Sequence, residues 1–335
     1  MDQRTHAWIA IRAIALLDDE GKTQNLVNLL KPSVKAADIG AWLPDLIDAK
    51  ISGEDTDNHN FKLKPYKGRQ KYRFTMPKPT LLKKIGPARK LHTFLKDDKT
   101  LSDKWWKTPY KANTHPGEHI PNRASALHTS IIDLAIMGDS ATIYYIPGRQ
   151  RLSSRLPKTA RSPIHQIAMY FFMQSHFIAD AIMPCHCDAR HISGYSRGLH
   201  RELEKHWAKK IGTYFDKKKL KKNTSRSSTI LKEARKIDKE FDITFKNEVP
   251  KLKTKDIWKE MVFICRGSFA VSSILVPPSK IPYRSKKTTT FEDLFEKTPE
   301  GPPLLKKLDQ MTMHDAVLNT AIAWKAIWKK LQPER

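Results

Sequence analysis

The 335-residue chain carries 61 Lys and Arg against 35 Asp and Glu, a formal net charge of +26, with only three cysteines. That length can bury a substantial core, and so few cysteines exclude a disulfide framework and fit a reducing compartment. The basic surplus points to a phosphate-bearing partner, nucleic acid or an anionic membrane surface.

Helical periodicity dominates and alternating strand patterns are scarce, so the expected fold is all-α. The first helix is expected from Thr5, a candidate N-cap, to Leu17. Arg12 interrupts its apolar run and no small-residue cleavage site comes after it, so it reads as a structural helix and the chain as cytoplasmic. Further helices are predicted over residues 23–30, 34–41, 123–137, 163–183, 198–215, 228–248, 256–275 and 313–331. The run over 163–183 opens on Ser162-Pro163, a capping hydroxyl before a proline at the first helical position. From Ile164 onward it is apolar on nearly every face, which predicts a central buried helix. Its Gln174, His176 and Asp180 keep it from reading as a membrane span.

Between about 62 and 122 the period is lost in a basic, proline-containing insertion that includes Tyr66, Tyr72, Trp105, Trp106 and Tyr110. Residues 217–227 and 276–303 have the same character and are expected to be exposed loops. A single helical domain over 1–335 is expected, with a helical C-terminal extension from about 228.

Chemistry concentrates in the central helix and just after it. His176 and Asp180 are four apart, stacked on one face where both can reach a common cation. His186 comes next, beyond Pro184, and His200 and Glu204 repeat the four-residue spacing on a new helix. One such pair alone more often marks a core histidine satisfied by a neighbouring carboxylate. Two pairs bracketing a third histidine point to metal, because an unpaired polar group in an apolar interior costs roughly 2–7 kcal/mol and a bound cation removes that cost.

The string HFIADAIMPCHCDARHISGYSRGLHRELEKHW resembles the zinc-binding segment of bacterial zinc-dependent phospholipase C, within the phospholipase C/P1 nuclease family. The pattern of that segment is His-x3-Asp-x5-His-x13-His-x3-Glu, and His176, Asp180, His186, His200 and Glu204 fall on it without a gap. The resemblance implies further ligands at Asp45 and His59, fourteen apart, at His6 in the first helix, and at the amino-terminal residue. Characterised members have a tryptophan there and this chain has Met1, a departure. Because the ligands are the backbone amine and carbonyl, Met1 can serve.

By this resemblance three Zn²⁺ ions are expected. One takes Asp45, His59, His176 and Asp180; a second takes Met1, His6 and a shared Asp180; a third takes His186, His200 and Glu204. Cys185 and Cys187 flank His186 and are expected to point away from it, while His128, His165, His191, His206 and His314 are expected to pack or to support the ligands.

The implied activity is phosphodiester hydrolysis by a metal-activated water, with Asp45 orienting that water or accepting its proton. Ligand spacing and the closing Glu204 match the phospholipases, whereas the basic charge and aromatic-basic insertion suit a P1-type nuclease acting on single strands. A third reading is a non-catalytic, basic nucleic-acid-binding protein with a structural metal cluster.

Overall fold

In the computed structural model, residues 1–46, 59–61, 119–137, 163–188, 190, 192, 198–216, 218, 220, 225–252, 256–276, 280–281 and 287–331 are described. Every extended regular element among them is helical, and they contain no β-strand. In chain order the helices are α1 (Gln3–Glu20), α2 (Gln24–Leu30), α3 (Ala37–Gly40), α4 (Ile120–Met137), α5 (Ile164–Ile182) and α6 (Pro184–Cys187). They continue with α7 (Leu199–Ile211), α8 (Ser227–Lys236), α9 (Ile257–Leu275), α10 (Phe291–Phe295) and α11 (Gly301–Leu331). Short 3₁₀ turns at Lys31–Ala36 and Ile237–Phe241 extend α2 and α8.

Two buried helices, α1 and α5, form the centre. Helix α1 is buried continuously from Thr5 to Leu17 and packs against α11, α8, α3, α7 and α5. Its N-cap is Asp2, whose carboxylate accepts from the Arg4 amide at 2.9 Å, and not Thr5, which lies buried inside the helix. Capping by a carboxylate two residues before the amide is worth about 1 kcal/mol. Gly21, at φ 71°, closes α1 in the left-handed conformation that a glycine adopts without a side-chain clash.

Helix α5 is fully buried from Gln174 to Ile182 and packs against α4, α11 and α9. Its N-cap position is Pro163, one residue later than expected, and Ser162 lies outside the described residues. Buried polar bonds tie other helices to this pair. Trp8 Nε1 donates to the Ala234 carbonyl at 3.0 Å, and Arg12 makes a two-pronged pair with Asp238 at 2.9 and 2.8 Å.

Several boundaries differ from the sequence expectation for local reasons. The stretch 291–295, expected as loop, is a helical turn closed by a capping box between Thr290 and Asp293. Helix α11 starts at Gly301 rather than near 313, because Pro302 and Pro303 fall in its first turn, where a missing N–H costs nothing. Helix α8 gives way to a 3₁₀ turn at Ile237, short of the predicted 248. No helix among the described residues is long and apolar enough to cross a membrane. Residues 62–118 of the expected insertion, with its aromatic residues, lie outside the described residues, whereas its end from Ile120 to Asn122 is already part of α4.

Candidate metal centre

All nine residues singled out by spacing and resemblance are among those described, and they meet at one place. Helix α5 presents His176 and Asp180 one turn apart, α1 brings His6, and α7 brings His200 and Glu204. The one-turn helix α6 holds His186, a helical turn holds Asp45, and His59 lies on the short segment 59–61.

Asp180 is the centre of the arrangement. Its Oδ1 lies 3.0 Å from the Met1 amine and 3.6 Å from His6 Nε2, and its Oδ2 lies 2.9 Å from His59 Nδ1 and 3.0 Å from His176 Nε2. Asp45 Oδ1 closes on the same two imidazoles, 3.5 Å from His59 Nδ1 and 3.4 Å from His176 Nε2. At the other end His200 Nε2 is 2.9 Å from His186 Nε2 and 3.0 Å from Glu204 Oε1. Glu204 Oε1 also reaches the Met1 amine at 3.0 Å, which joins the two ends.

Three sets of donors therefore lie close enough to hold metal ions: His59–His176–Asp180, His6–Asp45–His176, and His186–His200–Glu204. The first holds three of the four residues expected around one ion, with Asp45 falling in the second set instead, and the third holds the three residues expected around another. His6 is shared between Asp45 and His176 on one side and Asp180 on the other, a wider role than the one expected with Met1 and Asp180.

Backbone carbonyls orient the imidazoles. His176 Nδ1 donates to the Ala41 carbonyl at 2.7 Å, and His186 Nδ1 donates to the His59 carbonyl, so both turn their Nε2 towards the cluster. The Ala41 contact needs α3 to lie almost on α5. Gly40 allows this, since a Cβ there would sit 2.8 Å from Phe172 Cβ. Beyond His186, a buried network fixes the chain: Arg190 pairs with Asp188 at 2.7 Å and donates to the Val276 and Ile281 carbonyls, and Ser272 donates to Asp188 at 2.7 Å. Sequence reasoning missed Asp188, Arg190 and the carbonyl of Ala41. Asp188-x-Arg190 just after His186 was a legible cue, whereas a backbone carbonyl leaves no mark on residue identity.

Electrostatics show how strongly the site wants positive charge. Burial pushes the Met1 amine down, but Asp180, Glu204 and Asp45 outweigh it and raise it to about 12. Burial likewise opposes the His176 cation, and Asp180 with Asp45 raises it to about 10. Asp180 and Glu204 are both driven up by burial, yet the Met1 amine and the neighbouring histidines hold each well below the usual carboxylate range. His6 goes the other way, lowered by burial and by His176 and the amine. Three carboxylates are thus balanced here by an amine and an imidazolium, a charge that a divalent ion supplies more compactly.

Metal also answers what protons leave open. Both ring nitrogens of the buried His6 lack a hydrogen-bond partner. Two nitrogens on one tetrahedral zinc at about 2.0–2.1 Å lie about 3.3 Å apart, close to the 2.9 Å between His186 and His200. The donors are all N and O. Cys187 donates instead to the Ala181 carbonyl at 3.4 Å, and Cys185 is buried.

Among the remaining histidines, His206 lies 2.9 Å from Asp309, His314 stacks on Phe245, and His128 is buried. His165 is exposed on the first turn of α5, contrary to the expectation of a packed or supporting role, because α5 is enclosed only from Ile167 onward. His191 lies outside the described residues. No family model matches the chain, and no curated protein or solved structure is detectably similar to it.

Proposed function

We propose that the chain is a zinc-dependent phosphodiester hydrolase of the phospholipase C type, with one all-α domain built around three metal ions. The observation that carries the reading is the convergence of Asp45, His59, His176, Asp180, His186, His200 and Glu204 with His6 and the Met1 amine. Their number exceeds the four protein ligands of a closed structural zinc, and their N and O donors suit zinc in a hydrolytic site.

Asp45, His59, His176 and Asp180 would hold one ion, Met1, His6 and Asp180 a second, and His186, His200 and Glu204 the third. Ions bound there supply an acidified water and neutralise phosphate charge. The chain's own residues do the rest. Asp45 has a side chain 36% exposed, against 1% for Asp180, so it is the carboxylate able to orient a water and take its proton. His59 and His176, each 3.4–3.5 Å from Asp45 Oδ1, fix where that carboxylate stands. Asp180 is enclosed and engaged on both oxygens, which suits holding over proton transfer.

A second reading, a P1-type single-strand nuclease, is favoured by the outer face of α7. Arg201, Lys205 and Lys209 recur every four residues there, exposed beside the His200–Glu204 ligand pair, where a polyanionic strand would run. Metal analysis with bis-p-nitrophenyl phosphate hydrolysis tests the shared chemistry: about three zinc ions and EDTA-sensitive turnover are expected. Bound zinc without turnover would leave only a structural cluster. Phosphatidylcholine and single-stranded DNA assayed side by side, with Asp45→Asn as the inactive control, separate the two hydrolases. Intact mass tests the amine: loss or blocking of Met1 with full zinc content removes it as a ligand.

A further inference from the structure

We infer that Arg123 is a substrate-binding residue that grips a phosphate oxygen of the molecule held at the metal centre, an assignment resting on the hydrolase reading above. Arg123 stands in the first turn of α4, and that turn is tied to the site. The Ile120 amide donates to the Asn60 carbonyl at 3.4 Å, one residue from His59, and the His119 ring meets Phe61 edge-on at 6.0 Å. On the other side Asn122 Oδ1 accepts from Trp258 Nε1 at 2.6 Å, which anchors the turn to α9.

The Arg123 guanidinium lies 5.5 Å from the centroid of the Phe177 ring. That ring is also the neighbour of two ligands, His59 stacked on it at 5.4 Å and His176 edge-on at 5.4 Å. A ring face steers a guanidinium without satisfying any of its five N–H donors. Arg123 Nε is buried without a hydrogen-bond partner, and no carboxylate among the described residues pairs with the group. The carboxylates of the centre are committed elsewhere, Asp180 and Glu204 to the Met1 amine and the histidines, Asp45 to His59 and His176.

A partly buried cation with an unmet donor is costly unless a ligand supplies the acceptor. The acceptor that fits is an anionic oxygen pair, because the planar fork of arginine matches phosphate in two parallel hydrogen bonds. At a phosphodiester centre that oxygen belongs to the substrate, either the scissile phosphate or a neighbouring one.

The test compares zinc-loaded wild type with Arg123→Gln and Arg123→Lys. Three quantities are read: zinc content, KM and kcat for bis-p-nitrophenyl phosphate, and the affinity for inorganic phosphate by titration calorimetry. Losing one charge-assisted contact should raise KM and weaken phosphate binding about tenfold to a hundredfold in Arg123→Gln, with zinc content unchanged. Arg123→Lys should recover part of the loss, since charge returns without the fork. Unchanged KM and phosphate affinity overturn the assignment, and so does a loss of zinc, which would make Arg123 a structural support. If wild type turns nothing over, the hydrolase reading fails by itself. Phosphate binding that still depends on Arg123 would then uphold the anion site, and binding that does not would remove it.

Discussion

The two ends of the candidate centre share a donor chemistry and differ in their access to water. At the inner end the side chains of His6, His176 and Asp180 are at most 1% exposed, whereas at the outer end His200 and Glu204 are 35% and 22% exposed. A buried ionic group without its partners destabilises the fold, while an exposed one is rehydrated at little cost. The inner end is therefore joined to folding and the outer end open to exchange with solvent, although one amine, that of Met1, bridges them.

Breaking the inner end should have the largest effect. Asp180→Ala removes the carboxylate that touches the Met1 amine, His6, His59 and His176, and leaves buried donors unpaired. A loss of about 3–5 kcal/mol is expected from urea unfolding, as for a broken buried pair. Metal analysis should find both inner ions gone. A variant that retained its full zinc complement would refute the central role of Asp180.

Removing metal from the intact chain should reverse the sign of its pH dependence. In the metal-free protein the Met1 amine and His176 sit above their ordinary values of 8.0 and 6.5. Their stabilisation is fully present below those values and is lost as pH rises through about 12 and about 10 respectively. Zinc binds the deprotonated ligands, so the loaded protein gains from the same rise. Melting temperatures of EDTA-treated and zinc-reconstituted protein should diverge from pH 6.5 to 9.5, and parallel curves would show that these groups do not meet the metal.

At the outer end His200→Ala should release a single ion. The metal-free variant should lose less than about 1 kcal/mol, the range of partly exposed ion pairs. Loss of all the zinc would show that the two ends bind as one unit and erase the contrast.

How much of this is legible in the chain depends on what kind of information each contact carries. The pairs His176–Asp180 and His200–Glu204 are written locally, as four-residue spacing on a helix, and the all-helical character is written as apolar period. Asp45, His59 and His6 carry no local mark, and only the family resemblance singles them out before the fold brings them together. Helix ends are less legible. Thr5 offers a hydroxyl as suited to capping as the Asp2 carboxylate, and tertiary burial, not capping preference, decides between them. The grip of Ala41 on His176 is beyond the reach of sequence, since it depends on the close approach that Gly40 permits between α3 and α5.

The smallest effect at neutral pH concerns a histidine outside the centre. His128, on α4, is 2% exposed with both ring nitrogens unpartnered, as His6 is, but no carboxylate dominates its surroundings. Burial, with Lys330 of α11 adding to it, lowers its pKa to about 4, and Asp256 before α9 opposes this only weakly. As pH falls, the unfolded chain takes up the proton first. Stability is therefore full above about 6.5 and is lost towards pH 4, by up to about 3 kcal/mol. His128→Leu should flatten that acid limb relative to wild type while leaving zinc content unchanged at neutral pH. An undiminished acid limb would place the responsible proton elsewhere. Burial opposes the charge on His128 and His176 alike; a carboxylate within 3.0 Å lifts His176 to about 10, and the lack of one leaves His128 near 4. Every histidine in the three donor sets stands beside Asp45, Asp180 or Glu204, and His128 stands beside none of them.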